Sequence, residues 1–455
     1  MPKNIHVKFY LALLEQKDFR LMLREIKNII EKYFNYILFG LFSISFVLIL
    51  LKPIELLKDS QGYLEMSLIR SPVYPIFINV IEKIFGDYFL TAAVCIQFVI
   101  MSLAIFYLVV TLRKLYNIQS FWYLLLVLLL LSPALYEVNV STRILSEALA
   151  YPLYLIIFSL FIKAFTETKT KPLLISFPFL LLLLLTRGQF VYLAVVGLLL
   201  ALFILWKQKR VIRQSWIMVA FIALPFIANF TDKTYHYVVH QHFVTTPWTG
   251  IHLITPALFV ATESDESVFS SEEEKSFFLK IFKKLKENGL TLSSLDEKNS
   301  ESTIFYIQNF TKIANGTVFN EGRYFFGIPI DDAETFIKLD TLTKKMSLPL
   351  TLKNLAKWSK LYYQNFAYGL NGSRFVMLYL LLLIVALFSV FRIPSSEIKF
   401  ILLGSAITLF NIGIIAIGMH TIKRFTFYND WILFFIFFIL IDLLLKKTKQ
   451  YAARS

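Results

Sequence analysis

Cysteine is almost missing from this chain, and acidic residues are scarce. The only cysteine, Cys95, lies inside an apolar run, so no intrachain disulfide can form. Asp and Glu number 31 against 46 Lys and Arg, which leaves a formal charge of +15. Such a surplus suggests nucleic acid at first sight. Here, however, Lys and Arg collect in short segments between apolar runs and at both tails, as in a membrane protein that uses them for orientation. No cleavable signal peptide is visible, because the N-terminal residues are long, polar and basic and the first apolar run exceeds an h-region. There is no repeat of fixed period, and no low-complexity tract beyond the Leu-rich runs. What fills the 455 residues is hydrocarbon: 57% are hydrophobic and mean hydropathy is +0.64. Several runs approach the roughly 20 apolar residues that cross a bilayer as a helix.

The fold class implied is an all-α polytopic membrane protein with about ten spans. Residues 1–32 carry Lys3, Lys8, Lys17, Arg20, Arg24, Lys27 and Lys32, with Phe19, Leu23, Ile26 and Ile30 at helical spacing. They read as an amphipathic helix at the cytoplasmic interface. An N-terminal transmembrane module follows over 33–230, with spans near 33–51, 88–112, 121–135, 148–165, 172–185, 190–206 and 216–230. Its first outer loop is 52–87, where 62–69 reads as a short interfacial helix that Pro72 and Pro75 keep from continuing. Residues 231–371 are polar and charged, and too long for an idle loop. Within them Ser271 and Glu274 form a capping-box pattern, Gly289 stops that helix, and further helices are expected over 303–313, 332–345 and 352–366. This is a helical extracytoplasmic domain. Residues 372–445 hold three more spans, and 446–455 form a basic cytoplasmic tail. Every inward turn is basic, which places both termini inside.

On that topology Asp59, Arg70, Glu147, Arg187, His420 and Arg424 all fall at extracytoplasmic span ends. Taken singly, each has a plain reading, such as an arginine snorkelling to the interface or a glutamate favouring a helix N-terminus. Together, complementary charges level in the membrane suit an anionic, lipid-embedded ligand, since the arginine fork matches phosphate. Tyr63 and Tyr74 sit close to Asp59 and Arg70 in sequence. Span interiors are almost purely apolar, Gln97 and Asn411 being the main exceptions. His236, His240 and His242 stand at i, i+4 and i+6, short of a clear three-ligand metal site. The sequons at Asn139, Asn229, Asn309, Asn315 and Asn371 matter only in a eukaryotic secretory pathway.

Asp59-Ser60-Gln61-Gly62-Tyr63-Leu64 followed by Arg70-Ser71-Pro72-Val73-Tyr74-Pro75 resembles the first outer loop of the GT-C superfamily of membrane glycosyltransferases. More narrowly it is similar to the bacterial branch related to protein mannosyltransferases and aminoarabinose transferases. Ile144-Leu145-Ser146-Glu147 resembles their acidic motif opening the fourth span, and Thr186-Arg187-Gly188-Gln189 the arginine-bearing end of the fifth. Arg424-Phe425-Thr426-Phe427-Tyr428 is similar to their late Arg-Tyr element, with Phe425 in place of tyrosine. The resemblance covers roughly the first two hundred residues and the last span, and it leaves 231–371 unplaced. Many relatives carry two adjacent acids in the first loop, whereas here Ser60 follows Asp59.

The resemblance implies an inverting glycosyltransferase that moves a hexosyl or pentosyl group from a polyprenyl-phosphate donor to an acceptor hydroxyl, on a lipid, glycan or protein. Asp59 would be the catalytic base, and Tyr63, Arg70, Tyr74, Glu147, Arg187, His420 and Arg424 would bind substrate, with a cationic group such as Arg187 or Arg424 facing the phosphate. No cofactor is required on this reading; a divalent metal is possible but not supported, since Ser60 follows Asp59 in place of a second acid. The expected location is the bacterial inner membrane, with the site on its outer side. Two other readings compete. An O-antigen polymerase or ligase would use Arg323 and the His236 cluster in the outer domain. A lipid-linked-sugar transporter would need broken helices and polar residues at mid-depth.

Overall fold

The computed structural model describes residues 17–136, 138–295, 302–327 and 333–452. Most of the expected interfacial segment 1–32 lies outside the described side chains. Among the described residues the secondary structure is helical, with one isolated bridge pairing Glu55 with Arg143.

The helices of the membrane part are α1 (Lys17–Leu50), α2 (Lys58–Leu64), α3 (Val73–Phe85), α4 (Phe89–Leu115), α5 (Ser120–Leu135), α6 (Glu147–Glu167), α7 (Lys171–Leu184), α8 (Tyr192–Lys207) and α9 (Trp216–His240). Eight described helical stretches are long and apolar enough to cross a membrane. Two of the ten expected spans, α5 and α7, are apolar but shorter than these eight. At 16 and 14 residues they reach roughly 24 and 21 Å, less than the hydrocarbon thickness. Both pack into the bundle, α5 against α1, α4 and the C-terminal helix Asp430–Ala452, and α7 against α6 and α9. The protein is an all-α polytopic membrane protein.

Two local expectations change. The short helix near the site is α2, so Asp59 occupies its first turn, and Glu65–Arg70 is a turn with Met66 in the left-handed region (φ 50°). Pro72 and Pro75 do not interrupt a helix; they open α3. Proline has no N–H to contribute and the first turn requires none. The apolar stretch then runs from Val73 to Leu115, turning at Gly86 (φ 52°).

α6 is the axis of the bundle. It is apolar on all sides and almost wholly buried, the pattern of a central helix. α4 and α7 pack on it, and its N-terminal residue is Glu147.

Beyond α9 a second hydrophobic core forms around Ile254, Phe259, Phe277, Phe282, Phe310 and Leu339. It is built by α10 (Thr249–Val260), α11 (Glu272–Glu287), α12 (Ser302–Ile313), α13 (Asn320–Phe326), α14 (Ala333–Lys353) and α15 (Leu355–Gly369). Ser271 Oγ accepts the Glu274 N–H at 3.2 Å to start α11, and Gly289 follows its end with φ 66°. The position Asp332 lies outside the described residues. α16 (Ser373–Arg392), α17 (Ser396–Gly418), α18 (Lys423–Thr426) and α19 (Asp430–Ala452) return to the bundle.

The two ends of the bundle differ chemically. At one end Arg113 pairs with Glu31 (2.5 Å), Lys399 donates to Thr166 O (3.0 Å) and Lys446 pairs with Asp442 (2.8 Å). The other end holds α2, the loop before α6, the turn after α7 and the turn before α18. There Arg143 bonds Glu55 (2.8 Å), whose carboxylate also accepts from Asn139 (2.8 Å), tying the α1–α2 connection to the α5–α6 loop.

Candidate active site

Four separate chain segments bring five charged side chains into one network. Asp59 comes from α2. Its first turn is closed by Ser60 Oγ, which accepts the Leu57 N–H at 2.9 Å. Ser60 is buried, so the residue standing beside the acid is a cap. Arg70 returns across this helix to Asp59 Oδ1 at 2.9 Å. It passes over Gly62, where an added Cβ would stand 2.8 Å from Arg70 Nε, so the glycine opens the path.

Arg424 reaches Asp59 Oδ2 at 2.7 Å with one nitrogen and Glu147 Oε1 with Nε. Arg187 holds the same Glu147 oxygen at 2.9 Å and Ser146 Oγ at 3.2 Å, and its other nitrogens donate to Gln189 Oε1 at 3.3 and 3.2 Å. Gln189 in turn donates to Phe425 O at 3.3 Å. Arg424 is thus the bridge between the two carboxylates. Three guanidinium groups face two carboxylates, so the network carries one surplus positive charge.

The carboxylates differ in access. The Asp59 side chain is 37% exposed, that of Glu147 only 2%. Partial burial works against the ionised Asp59, but Arg70 and Arg424 outweigh it and hold its pKa down at about 2. At neutral pH Asp59 in the free protein is therefore an ionised, reachable carboxylate. Glu147 is walled in and orients the arginines.

The tyrosines named from sequence brace this arrangement. Tyr63 lies under the Arg70 guanidinium (4.6 Å to the ring) and donates to Ser146 Oγ at 2.9 Å. Tyr74 meets Tyr63 edge-on at 5.0 Å and donates to Gln97 Oε1 at 2.7 Å, and Gln97 bonds Ser141 O at 3.2 Å. Gln97 is thus a satisfied buried amide, and Tyr74 stands behind the ion pairs.

His420 joins a different set of contacts. Its Nδ1 lies 2.9 Å from Ile307 O and its ring stacks on Phe310 at 4.4 Å, both on α12 of the second core. Burial lowers its pKa. His252 on α10 is a neighbour that sequence reasoning missed. Burial, helped by His420, pushes its pKa down to about 4. A lone histidine in the apolar run of α10 offers no periodic signal.

Asn365 was missed as well. It is buried on α15, donates to Met419 O at 2.7 Å, accepts the Thr421 N–H at 3.1 Å, and its carbonyl accepts from Thr421 Oγ1 at 2.5 Å. The second core therefore grips the turn that delivers Arg424. Asn365→Ala is expected to lower kcat by about tenfold through this loosened turn, with the lost hydrogen bonds costing about 1–3 kcal/mol. Asn365→Asp, which keeps both acceptor bonds, should recover more activity than Asn365→Ala at equal melting temperature; equal activities would remove Asn365 as a positioning residue.

Arg323 and His236 stand apart from this site. Arg323 lies on α13 over Tyr324 (4.9 Å), and His236 lies near Asp232 (3.4 Å) and Thr246 (3.3 Å) at the end of α9. No described contact links either to the Asp59–Glu147 network.

Residues 69–231 match the family model of dolichyl-phosphate-mannose-protein mannosyltransferases. The matched stretch includes Arg70, Tyr74, Glu147 and Arg187, while Asp59, His420 and Arg424 lie outside it. Neither a curated protein nor a solved structure matches. The matched segment supplies two arginines and the buried glutamate of one ion network, and through it this part of the multi-pass helical bundle is similar to the dolichyl-phosphate-mannose-protein mannosyltransferases, glycosyltransferases of the GT-C type.

Proposed function

We propose that the protein transfers a sugar from a polyprenyl-phosphate donor to an acceptor hydroxyl at the extracytoplasmic membrane face, with inversion at the anomeric carbon. The observation that carries this is Asp59: an ionised, 37% exposed carboxylate flanked by two arginines at the rim of the bundle. The acceptor hydroxyl gives its proton to Asp59 as its oxygen attacks the anomeric carbon. The bond to the phosphate oxygen breaks, and the phosphate leaves with the electron pair. Arginines of the network stabilise that charge, so the scheme uses no metal. The basic end of the bundle, with Arg113, Lys207, Lys399 and Lys446, faces the cytoplasm on the positive-inside rule, which supports the outer placement of Asp59.

The arginines also set when the base is active. In the free protein both Asp59 oxygens are engaged, and a carboxyl at about 2 is a weak base. A donor phosphate draws Arg424 or Arg70 away, and Asp59 gains basicity as the donor arrives. The low free-protein value gives the sign of the pH dependence: base function is full above it and is lost as pH falls through it. kcat/KM, which reports the free enzyme, should stay flat down to about pH 4, whereas kcat should begin to fall at a higher pH.

Purified protein in liposomes, given polyprenyl-phosphate-linked radiolabelled sugar and an acceptor extract, should transfer label in the presence of chelator. Transfer from a nucleotide sugar but not from the lipid donor would overturn the reading. Coincident acid limbs in kcat and kcat/KM would remove the gating by arginine.

A further inference from the structure

Below the ion network, inside the bundle, lies a second group of polar side chains with a different character. Tyr192 is in the first turn of α8, Asn411 on α17, and Tyr428 and Asn429 in the turn that enters α19. All four are buried. The Tyr428 ring centroid is 4.9 Å from Phe190, 5.8 Å from Tyr154 and 6.0 Å from Tyr151, and Phe190 is 6.2 Å from Tyr192. Tyr154 donates to Asn429 Oδ1. Asn411 joins through helix register. A Cβ at Gly404 would stand 2.6 Å from Ile432 Cγ2, so the face of α17 shared by positions 404 and 411 fronts the start of α19. Tyr151 and Tyr154 follow Glu147 at helical spacing on α6, so the group descends roughly two turns, about 10 Å, from the arginines.

These side chains carry unused hydrogen-bonding capacity. Tyr192 Oη, Tyr428 Oη, Asn429 Nδ2, both amide atoms of Asn411 and Glu147 Oε2 are buried without a partner among the described residues. Within hydrocarbon an unpaired polar group is costly, and this many close together leave donors and acceptors free for a polar ligand. Gln97 is the contrast, since its amide is satisfied by protein atoms.

The mixture of atoms identifies the occupant's chemistry. Glu147 Oε2 and Asn411 Oδ1 only accept, the two amide nitrogens only donate, and the phenols do both. A phosphate only accepts and would be repelled by Glu147. A polyol both donates and accepts, and the C–H faces of a sugar ring suit walls made by Tyr151, Tyr154, Phe190 and Phe427. We infer that this buried cage receives the glycosyl ring of the donor, with Tyr192, Tyr428, Asn411 and Asn429 as hydroxyl partners. The inference rests on the lipid-phosphate donor proposed above and names the residues that read its sugar.

The test separates sugar from phosphate. Binding of farnesyl phosphate and of a panel of farnesyl-phosphate-linked hexoses and pentoses would be measured on the purified full-length protein, on Tyr428→Phe and on Asn411→Leu. Wild type should bind one glycosylated lipid more tightly than bare farnesyl phosphate. Each variant should weaken that preferred lipid by about 3- to 10-fold, the loss of a hydrogen bond or two, and leave bare farnesyl phosphate unchanged. Without ligand both variants should melt at or above wild type, because each removes an unsatisfied buried group. Unchanged sugar preference, equal weakening of both lipids, or a large drop in melting temperature would each overturn the inference. If wild type bound neither lipid, the donor reading itself would fall. Binding of farnesyl phosphate without any sugar preference would overturn only the cage.

Discussion

Asp59→Asn should insert, fold and bind the lipid-linked sugar, yet lose transfer by about 10²–10⁴-fold, the usual worth of general-base assistance. The amide keeps the size of the carboxylate, and its oxygen can still accept from Arg70 or Arg424. It cannot take the acceptor's proton. Freed from its charge, the two arginines should meet the donor phosphate with less competition, so donor affinity is expected to hold or rise. Glu147→Gln provides the internal control. Its carboxylate is 2% exposed and orients Arg187 and Arg424, so its loss should act through donor binding and stability and cost less in turnover. The measurement is transfer of radiolabelled sugar in membranes at matched protein level. Near-normal transfer by Asp59→Asn would remove it as the base.

Arg424→Ala should be the most damaging arginine substitution. Arg424 alone bonds both carboxylates, Asp59 Oδ2 at 2.7 Å and Glu147 Oε1. Removing it leaves Arg187 with Glu147 and Arg70 with Asp59, and abolishes the surplus charge that favours an anionic ligand. A charge-assisted contact is worth about 1.5–3 kcal/mol, so donor affinity should fall roughly 10- to 150-fold. Folding is disturbed too, because a buried carboxylate loses one of its two partners. Adding Glu147→Gln to Arg424→Ala should recover melting temperature without recovering donor binding. If the double variant regained donor binding, Arg424 would be a structural counter-ion and not a phosphate ligand. Arg424→Lys should rescue little, since a single ammonium lacks the fork that spans both carboxylates.

The second core acquires a role through the same residue. Asn365, Ile307 and Phe310 hold the 419–422 turn immediately before Arg424. Its helices thus set the position of the bridging arginine, although they supply no member of the ion network.

Much of the architecture was legible in the chain. Helices in bilayers are selected by long uncharged runs, because hydrocarbon leaves the backbone no other way to satisfy its hydrogen bonds. The long apolar stretches therefore became helices, and the Asp59, Glu147, Arg187 and Arg424 positions stood out because charge near hydrocarbon is costly. Span length was less legible, because α5 and α7 run to only 16 and 14 residues where the apolar runs gave no sign of such short helices. The prolines at 72 and 75 were read as breakers and proved to be starters, since one residue type serves both ends of that rule. What only tertiary structure decided was partnership. That Arg424 bridges residues 365 and 277 positions away is a property of packing, and no local pattern encodes it. The same holds for His420, whose ring bonds Ile307 O and stacks on Phe310 of the second core. Asn411 was visible as an oddity in an apolar span, but only the neighbouring start of α19, with Tyr428 and Asn429, gives its unpaired amide a setting. Local sequence governs which segments become helices and which groups are too polar to ignore. Which of those groups meet is set by the packing of helices far apart in the chain, where long-range contacts choose among partners that sequence spacing leaves equal.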